Sequence, residues 1–360
     1  MYRFDARMLR LREELTAREL DAFVVTHPQN RRYLSGFTGS DGALFVTPDG
    51  GKLITDFRYL EQAERQSPGF ELVEATPLEL PETLGELVRQ TGVKRVGFES
   101  HDVAVADHSD WTRAVDSELV PVKELVEEMR AIKDRGELEA IKRAVAIGDA
   151  AMAHVREFIR PGMTEREVAW ELEVYVRTHG AEAAGFDIIV ASGPNGAMAH
   201  ATVSDRAIQA GEPIVIDVGA RVDGYHSDLT RTLLLGEPDD RFEEIYDVVL
   251  RAQKAALEGI RPGMTGREAD ALARNVIEEA GYGEYFRHGL GHSVGLEIHE
   301  NPKASTVSEA VLQPGMTLTV EPGIYVTGWG GVRVEDLVVI AGNGVEVLSR
   351  AEKRPSMSLP

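Results

Sequence analysis

The spacing of apolar residues divides this chain into short runs of helical and extended character. Over residues 7–21, Leu9, Leu11, Leu15 and Leu20 recur among charged residues, which predicts an amphipathic helix. The apolar run "DAFVVT" then predicts a buried strand, and "GALFVTPDGGKLITD" predicts two strands joined by a turn at Pro48–Gly51. "LPETLGELVRQTG" reads as a helix and "RVGFE" as the strand after it. Helix and strand in alternation predict an α/β domain over residues 1–123. Beyond it lies a long charged helical stretch, with a break expected near Asp134–Gly136. From there the order is helix, strands, helix, strands, which predicts a second, α+β domain over residues 124–360.

That second domain repeats itself. "IRPGMTEREV" starts at Ile159 and "IRPGMTGREA" at Ile260. In each, Pro-Gly makes a turn and Thr is followed three residues later by Glu (Thr164 and Glu167, Thr265 and Glu268). This is the capping-box pattern, so both copies start a helix in the same way and neither needs a catalytic role. Downstream, "AGEPIVIDVG" parallels "PGMTLTVEPG", and Asp217 and Glu321 fall at equivalent places. Each half supplies a helix and then a strand bearing a carboxylate. The expected architecture is an internal duplication about a pseudo-twofold axis.

The carboxylates carry the chemistry. Asp223-Gly224 is a strong two-residue turn signal, and a hairpin closed there sets Asp217 opposite Thr230. Asp217 and Asp228 then share a face. The later hairpin around "GWGG" lets Glu321, Arg333 and Glu335 share one too. Arg333 could serve the site or merely bridge to Glu335. His288, His292 and His299 lie in "RHGLGHSVGLEIHENP", and His200 lies in "NGAMAHATVSD". Uncompensated carboxylates in apolar strands cost several kcal/mol each, and dications remove that cost. Four carboxylates and one imidazole form an oxygen-rich set that favours Mn²⁺, with Co²⁺ or Zn²⁺ as alternatives. Two such ions can share a water and lower its pKa, which is a hydrolytic centre.

Composition narrows the classes. The formal charge of −21 opposes binding to nucleic acid. No cysteine is present, so disulfides, thiolate sites and a cysteine nucleophile are excluded. No long apolar run predicts a membrane helix, and the N-terminus lacks a signal-peptide core, so the expected location is cytoplasmic.

The set Asp217, Asp228, His292, Glu321 and Glu335, in the contexts "SDLTRT", "GHSVGLEIHENP", "VEPGIY" and "VRVEDLV", resembles the pita-bread metallopeptidases. That group includes methionine aminopeptidase, aminopeptidase P and prolidase. The resemblance implies a pita-bread C-terminal domain whose two halves hold two metal ions between them. It assigns all five residues as ligands, with Asp228 and Glu335 bridging. A hydroxide shared by the ions would be the nucleophile, and Glu321 would take its proton. His200 and His299 match the histidines that hold the substrate carbonyl. His288, Arg333 and Tyr325 match supporting positions of the proline-specific branch. "NRRYLSGFTGSDGALFV" and "TDFRYLEQA" resemble the creatinase-like N-terminal domain of Xaa-Pro peptidases, which helps to form a homodimer. Creatinase itself lacks the metal carboxylates that are intact here.

Small peptides with proline in second position are the implied substrates. Phe186 and Ile298 are candidates for the proline pocket, Lys303 for the carboxylate of a dipeptide, and Asp41 for the substrate amine. A Xaa-Pro dipeptidase is the main expectation. The alternatives are an aminopeptidase P acting on longer peptides and a non-catalytic peptide-binding protein of the same fold.

Overall fold

The computed structural model describes residues 4–357 and separates into two compact units divided between Arg130 and Ala131. The first unit contains α1 (Phe4–Ala17), β1 (Ala22–Val25), α2 (Pro28–Ser35), β2 (Ala43–Val46), β3 (Gly51–Thr55), α3 (Leu60–Gln66), β4 (Glu71–Glu74), α4 (Leu80–Thr91), β5 (Arg95–Glu99), α5 (Val105–Ala114), β6 (Glu118–Val122) and α6 (Leu125–Arg130). Its strands form one sheet in the order β4-β3-β2-β1-β5-β6. The β1–β2 and β2–β3 pairs are antiparallel, and the other pairs are parallel. One face packs Val24, Phe45, Ile54 and Val96 against Leu84, Leu87, Val88 and Trp111 from α4 and α5. The first helix ends earlier than its leucines suggest, because Glu19 takes a left-handed φ of 54°. Leu20 is still buried, in the connection to β1, but Leu9 is exposed. The short helix α6 belongs with this unit, since Leu125, Val126 and Met129 are buried and the Tyr33 hydroxyl donates to the Met129 carbonyl. The division therefore lies beyond the boundary expected at residue 123.

Two buried polar residues organise this unit. Arg31 donates to the carbonyls of Gly39 (2.7 Å) and Gly42 (2.5 Å), which pins the glycine-rich loop before β2. Glu99, at the end of β5, accepts from the Thr26 and His27 amides (2.7 Å each) and from Asn30 Nδ2 (2.6 Å). Burial still dominates these bonds, and Glu99 is pushed up to about 7, with Glu127 adding repulsion.

The second unit opens with α7 (Arg135–Phe158), which starts where the break was expected because Asp134 forms a capping box with Glu137. Then come α8 (Glu165–Thr178), β7 (Ala183–Ala184), β8 (Ile189–Ser192), β9 (Pro213–Asp217), β10 (Ala220–Val222), β11 (Tyr225–His226), β12 (Thr230–Leu235), α9 (Asp240–Gly259) and α10 (Gly266–Glu279). It closes with β13 (Gly291–Ser293), β14 (Glu300–Ala304), β15 (Thr317–Val320), β16 (Gly323–Val326), β17 (Gly330–Arg333), β18 (Asp336–Ile340), β19 (Val345–Val347) and β20 (Ser356–Met357).

The duplication is physical. Thr164 and Thr265 cap α8 and α10 by identical reciprocal bonds to Glu167 and Glu268. Thr164 bridges to Ala207 and Thr265 to Val311, the same tie to the segment leading into the strand that ends at Asp217 or just before Glu321. Each half has its own apolar core: one is built mainly from α7, α8, β9 and β12, the other from α9, α10, β15 and β18. The halves join where Glu335 N donates to Thr230 O (3.1 Å) and Arg333 N to Thr232 Oγ1 (2.9 Å).

Candidate metal centre

The hairpins place the acids as the sequence pattern requires. Asp223 and Gly224 both take positive φ (49° and 77°), closing a turn with Val222 opposite Tyr225. That register sets Asp217 opposite Thr230. In the second half Val320 pairs with Asp336 and Gly323 with Arg333, so Glu321 and Glu335 lie opposite each other between the two ladders. His292 comes from β13, beside a bulge in its pairing with β14.

Asp217, Asp228 and Glu335 each offer an oxygen within 4.8 Å of the others. All three are buried. Asp217 Oδ1 and Glu335 Oε1 have no hydrogen-bond partner among the described residues. Burial, and then repulsion from Glu335, Asp217 and Glu321, pushes the Asp228 carboxyl well above the usual carboxylate range. Burial and its acidic neighbours do the same to Glu335. Glu321 is raised in the same direction, chiefly by burial.

His292 completes the group. Its Nδ1 lies 3.1 Å from the Ser293 carbonyl, which can only accept, so Nδ1 carries the proton. The Nε2 lone pair is then turned toward Glu321 Oε1 (3.4 Å) and Asp228 Oδ2 (3.7 Å). Burial lowers the pKa of His292, which favours the neutral form with that lone pair free. A lone pair aimed at carboxylate oxygens, beside two buried acceptors without donors, is an arrangement that cations satisfy. The donor set thus fits divalent ions.

Neighbouring side chains fix the acids. Thr230 Oγ1 donates to Glu335 Oε2 (2.7 Å), and Thr319 Oγ1 donates to Glu321 Oε1 (2.9 Å). Arg333 donates through Nη2 to Asp217 Oδ2 (2.7 Å), through Nε to Thr230 Oγ1 (2.9 Å) and through Nη1 to the Tyr325 hydroxyl (2.9 Å). Its ion pair is therefore with Asp217 and reaches from one half to the other. Burial opposes its charge, but Tyr325, Asp217, Glu321 and Glu335 outweigh this and push it well above its ordinary value. His288 Nδ1 faces the Gly289 carbonyl (2.8 Å), so Nε2 accepts from Tyr325 (3.0 Å). Arg333, Tyr325 and His288 thus form one directed chain of hydrogen bonds.

A cavity of about 870 Å³ opens in front of the acids. His200, His288, His292 and His299 line it, as do Phe186, Ile298 and Lys303. His299 stands edge-on to His292, with ring centroids 4.4 Å apart. Tyr325 sits behind Arg333 and does not line the cavity. Asp41 belongs to the first unit, where Arg58 Nη2 donates to its Oδ2 (2.9 Å). Sequence reasoning did not find Thr230 and Thr319, which aim the glutamates, or Arg166, Trp170 and Glu173, which line the cavity from one face of α8. Polar residues in the wholly buried strand β12 were the available signal for Thr230.

Comparison with known proteins agrees with this geometry. The Xaa-Pro dipeptidase of Pyrococcus horikoshii is 38% identical over 343 residues, covering 95% of this chain and 96% of that one. A solved structure of an Xaa-Pro dipeptidase from Bacillus anthracis is 43% identical, with a TM-score of 0.96 over 99% of this chain and 100% of that one. An X-Pro aminopeptidase from Thermotoga maritima is 37% identical, with a TM-score of 0.90 over 98% of this chain and 100% of that one. Residues 7–132 match the creatinase/prolidase N-terminal domain. Residues 139–341 match metallopeptidase family M24, and with its acids, imidazole and cavity in place this chain belongs to that family.

Proposed function

We propose that this protein is a dimetal peptidase that hydrolyses the bond before proline in Xaa-Pro dipeptides. The observation that carries the reading is the convergence of Asp217, Asp228 and Glu335 within 4.8 Å, with buried oxygens lacking donors. Asp217, Asp228, His292, Glu321 and Glu335 would hold two divalent ions, and the oxygen-rich set supports Mn²⁺ over Co²⁺ or Zn²⁺. When bound, such ions acidify a water and polarise a carbonyl.

The remaining work falls to side chains. Glu321, raised by burial, receives the proton from the attacking water. His200 and His299 donate to the carbonyl oxygen as negative charge develops there. Arg333 keeps Asp217 in place and, through Tyr325, orients His288. Phe186 and Ile298 contact the proline ring, which has no N–H to offer. Lys303, exposed on the cavity wall, binds the free carboxylate of a dipeptide as a point charge, without the fork an arginine would present. Asp41 would meet the substrate amine across a homodimer, the assembly implied by the resemblance to Xaa-Pro peptidases. Among the described residues no helix is long and apolar enough to cross a membrane.

A Xaa-Pro aminopeptidase acting on longer peptides is the second reading. It is favoured by the cavity volume, near the top of the roughly 300–1,000 Å³ range of small-ligand pockets, and by the similarity to the Thermotoga maritima protein. Comparing Ala-Pro with Ala-Pro-Ala separates the two. Faster cleavage of Ala-Pro supports the dipeptidase, and faster cleavage of the tripeptide overturns it.

A further inference from the structure

Behind the two glutamates lies a second charged cluster that faces away from the cavity. Asp336 follows Glu335, and Arg231 follows Thr230, so both side chains point to the opposite face of their strands. Arg231 Nη2 meets Asp336 Oδ1 at 2.8 Å with both side chains 1% exposed, and Lys353 Nζ reaches Asp336 Oδ2 at 2.5 Å. Arg231 also donates to the carbonyls of Thr230 (2.9 Å) and Glu335. Further bonds run from Arg231 to the carbonyls of Ala351 (2.8 Å) and Glu352 (3.2 Å). Lys353 Nζ donates to Gln253 Oε1 (2.8 Å), and Gln253 Nε2 makes a long bond to the carbonyl of Val320 (3.5 Å), the residue before Glu321. The Lys353 carbonyl is held by the Tyr246 hydroxyl.

Buried ion pairs rarely stabilise a fold more than apolar residues of the same volume would. This cluster does something apolar residues could not: its bonds end on the peptide groups that flank both glutamates. We propose that Lys353 is a positioning residue for the metal centre, acting through Asp336 and Arg231 on Glu335 and through Gln253 on Glu321. The inference rests on the reading of those glutamates as metal ligands.

The test is calorimetric titration of Mn²⁺ into the full chain after removal of metal by chelator. Lys353→Met keeps the aliphatic stem and removes the ammonium. Groups that orient metal ligands typically contribute about 10- to 100-fold to metal affinity, and that weakening is expected here. Lys353→Arg should recover most of the affinity. Gln253→Leu, which removes the arm to Val320 together with the Lys353–Gln253 bond but leaves Lys353 on Asp336 and changes no charge, should weaken binding by a smaller factor, and it keeps the test decisive if the methionine variant does not fold. A lowered Tm with unchanged Mn²⁺ affinity in these variants would overturn the proposal and leave a purely structural cluster. Absence of Mn²⁺ binding in the unsubstituted protein would overturn the metal reading itself, which is a distinguishable result.

Discussion

Asp228→Asn should have opposite effects with and without metal. In metal-free protein Asp228 is buried beside Asp217 and Glu335, with ligand oxygens within 4.8 Å. At an effective dielectric of about 20, two charges at that distance repel by roughly 3.5 kcal/mol. Two such neighbours would give about 7 kcal/mol if all three were ionised. Protonation sets a lower ceiling: neutralising an aspartate of ordinary pKa at pH 7 costs about 4 kcal/mol. An amide removes the charge at similar size, so the metal-free variant should be more stable than the parent by up to about 4 kcal/mol. For a unit of this size that is a Tm increase of about 8–16 °C. With Mn²⁺ present the order should reverse. The parent gains about 2.7 kcal/mol per site at a hundredfold excess over Kd, about 5.4 kcal/mol for two ions, which exceeds the advantage of the amide, and the variant, lacking a bridging carboxylate, gains little and shows no activity. Thermal unfolding in chelator and in Mn²⁺ measures all four values. A variant less stable than the parent in chelator would refute the claim that charge repulsion dominates this site.

Three further outcomes are expected. His299→Ala should keep its metal content but lose turnover by a factor of about 10² or more, and unchanged turnover would remove His299 from the reaction. Lys303→Met should lower kcat/KM for Ala-Pro by about 10- to 100-fold, the worth of a hydrogen bond to a charged group, and should leave the amide of Ala-Pro little affected; equal losses on both substrates would argue against carboxylate recognition. Glu99 makes the stability of the first unit depend on pH. Its folded value of about 7 exceeds the ordinary 4.5, so its contribution is full below about pH 4.5 and is lost as pH rises through 7. The loss is about 3 kcal/mol between pH 5 and 8, and Glu99→Gln should flatten it. Trp111, buried in this unit, reports the transition by fluorescence once Trp170 and Trp329 are replaced by phenylalanine, and equal slopes in both proteins would be evidence against the assignment.

The sequence made the hairpins legible because their signals are local. Asp223-Gly224 sets the turn, strand parity carries it back to Asp217 and forward to Asp228, and the repeated capping boxes expose the duplication. The residues that aim the acids were less legible. Thr230 meets Glu335 across 105 residues of chain, and Lys353 meets Gln253 across 100, so only the folded register reveals them. Arg333 was placed on the correct face, but its partner could not be read: strand alternation pointed equally well to Glu335, whereas the junction of the halves delivers Asp217. The early end of α1 shows the converse: Glu19 is left-handed, so Leu20 is buried outside the helix, and Leu9, inside it, lies off the buried face of Met8, Leu11 and Leu15.

The most direct measurement is a titration of chelator-stripped protein with Mn²⁺, following heat and proline release from Ala-Pro in parallel. Two ions should bind per chain, with hydrolysis appearing as the sites fill. Saturation at no ion, or full occupancy by two ions without release of proline, would contradict a dimetal peptidase centre.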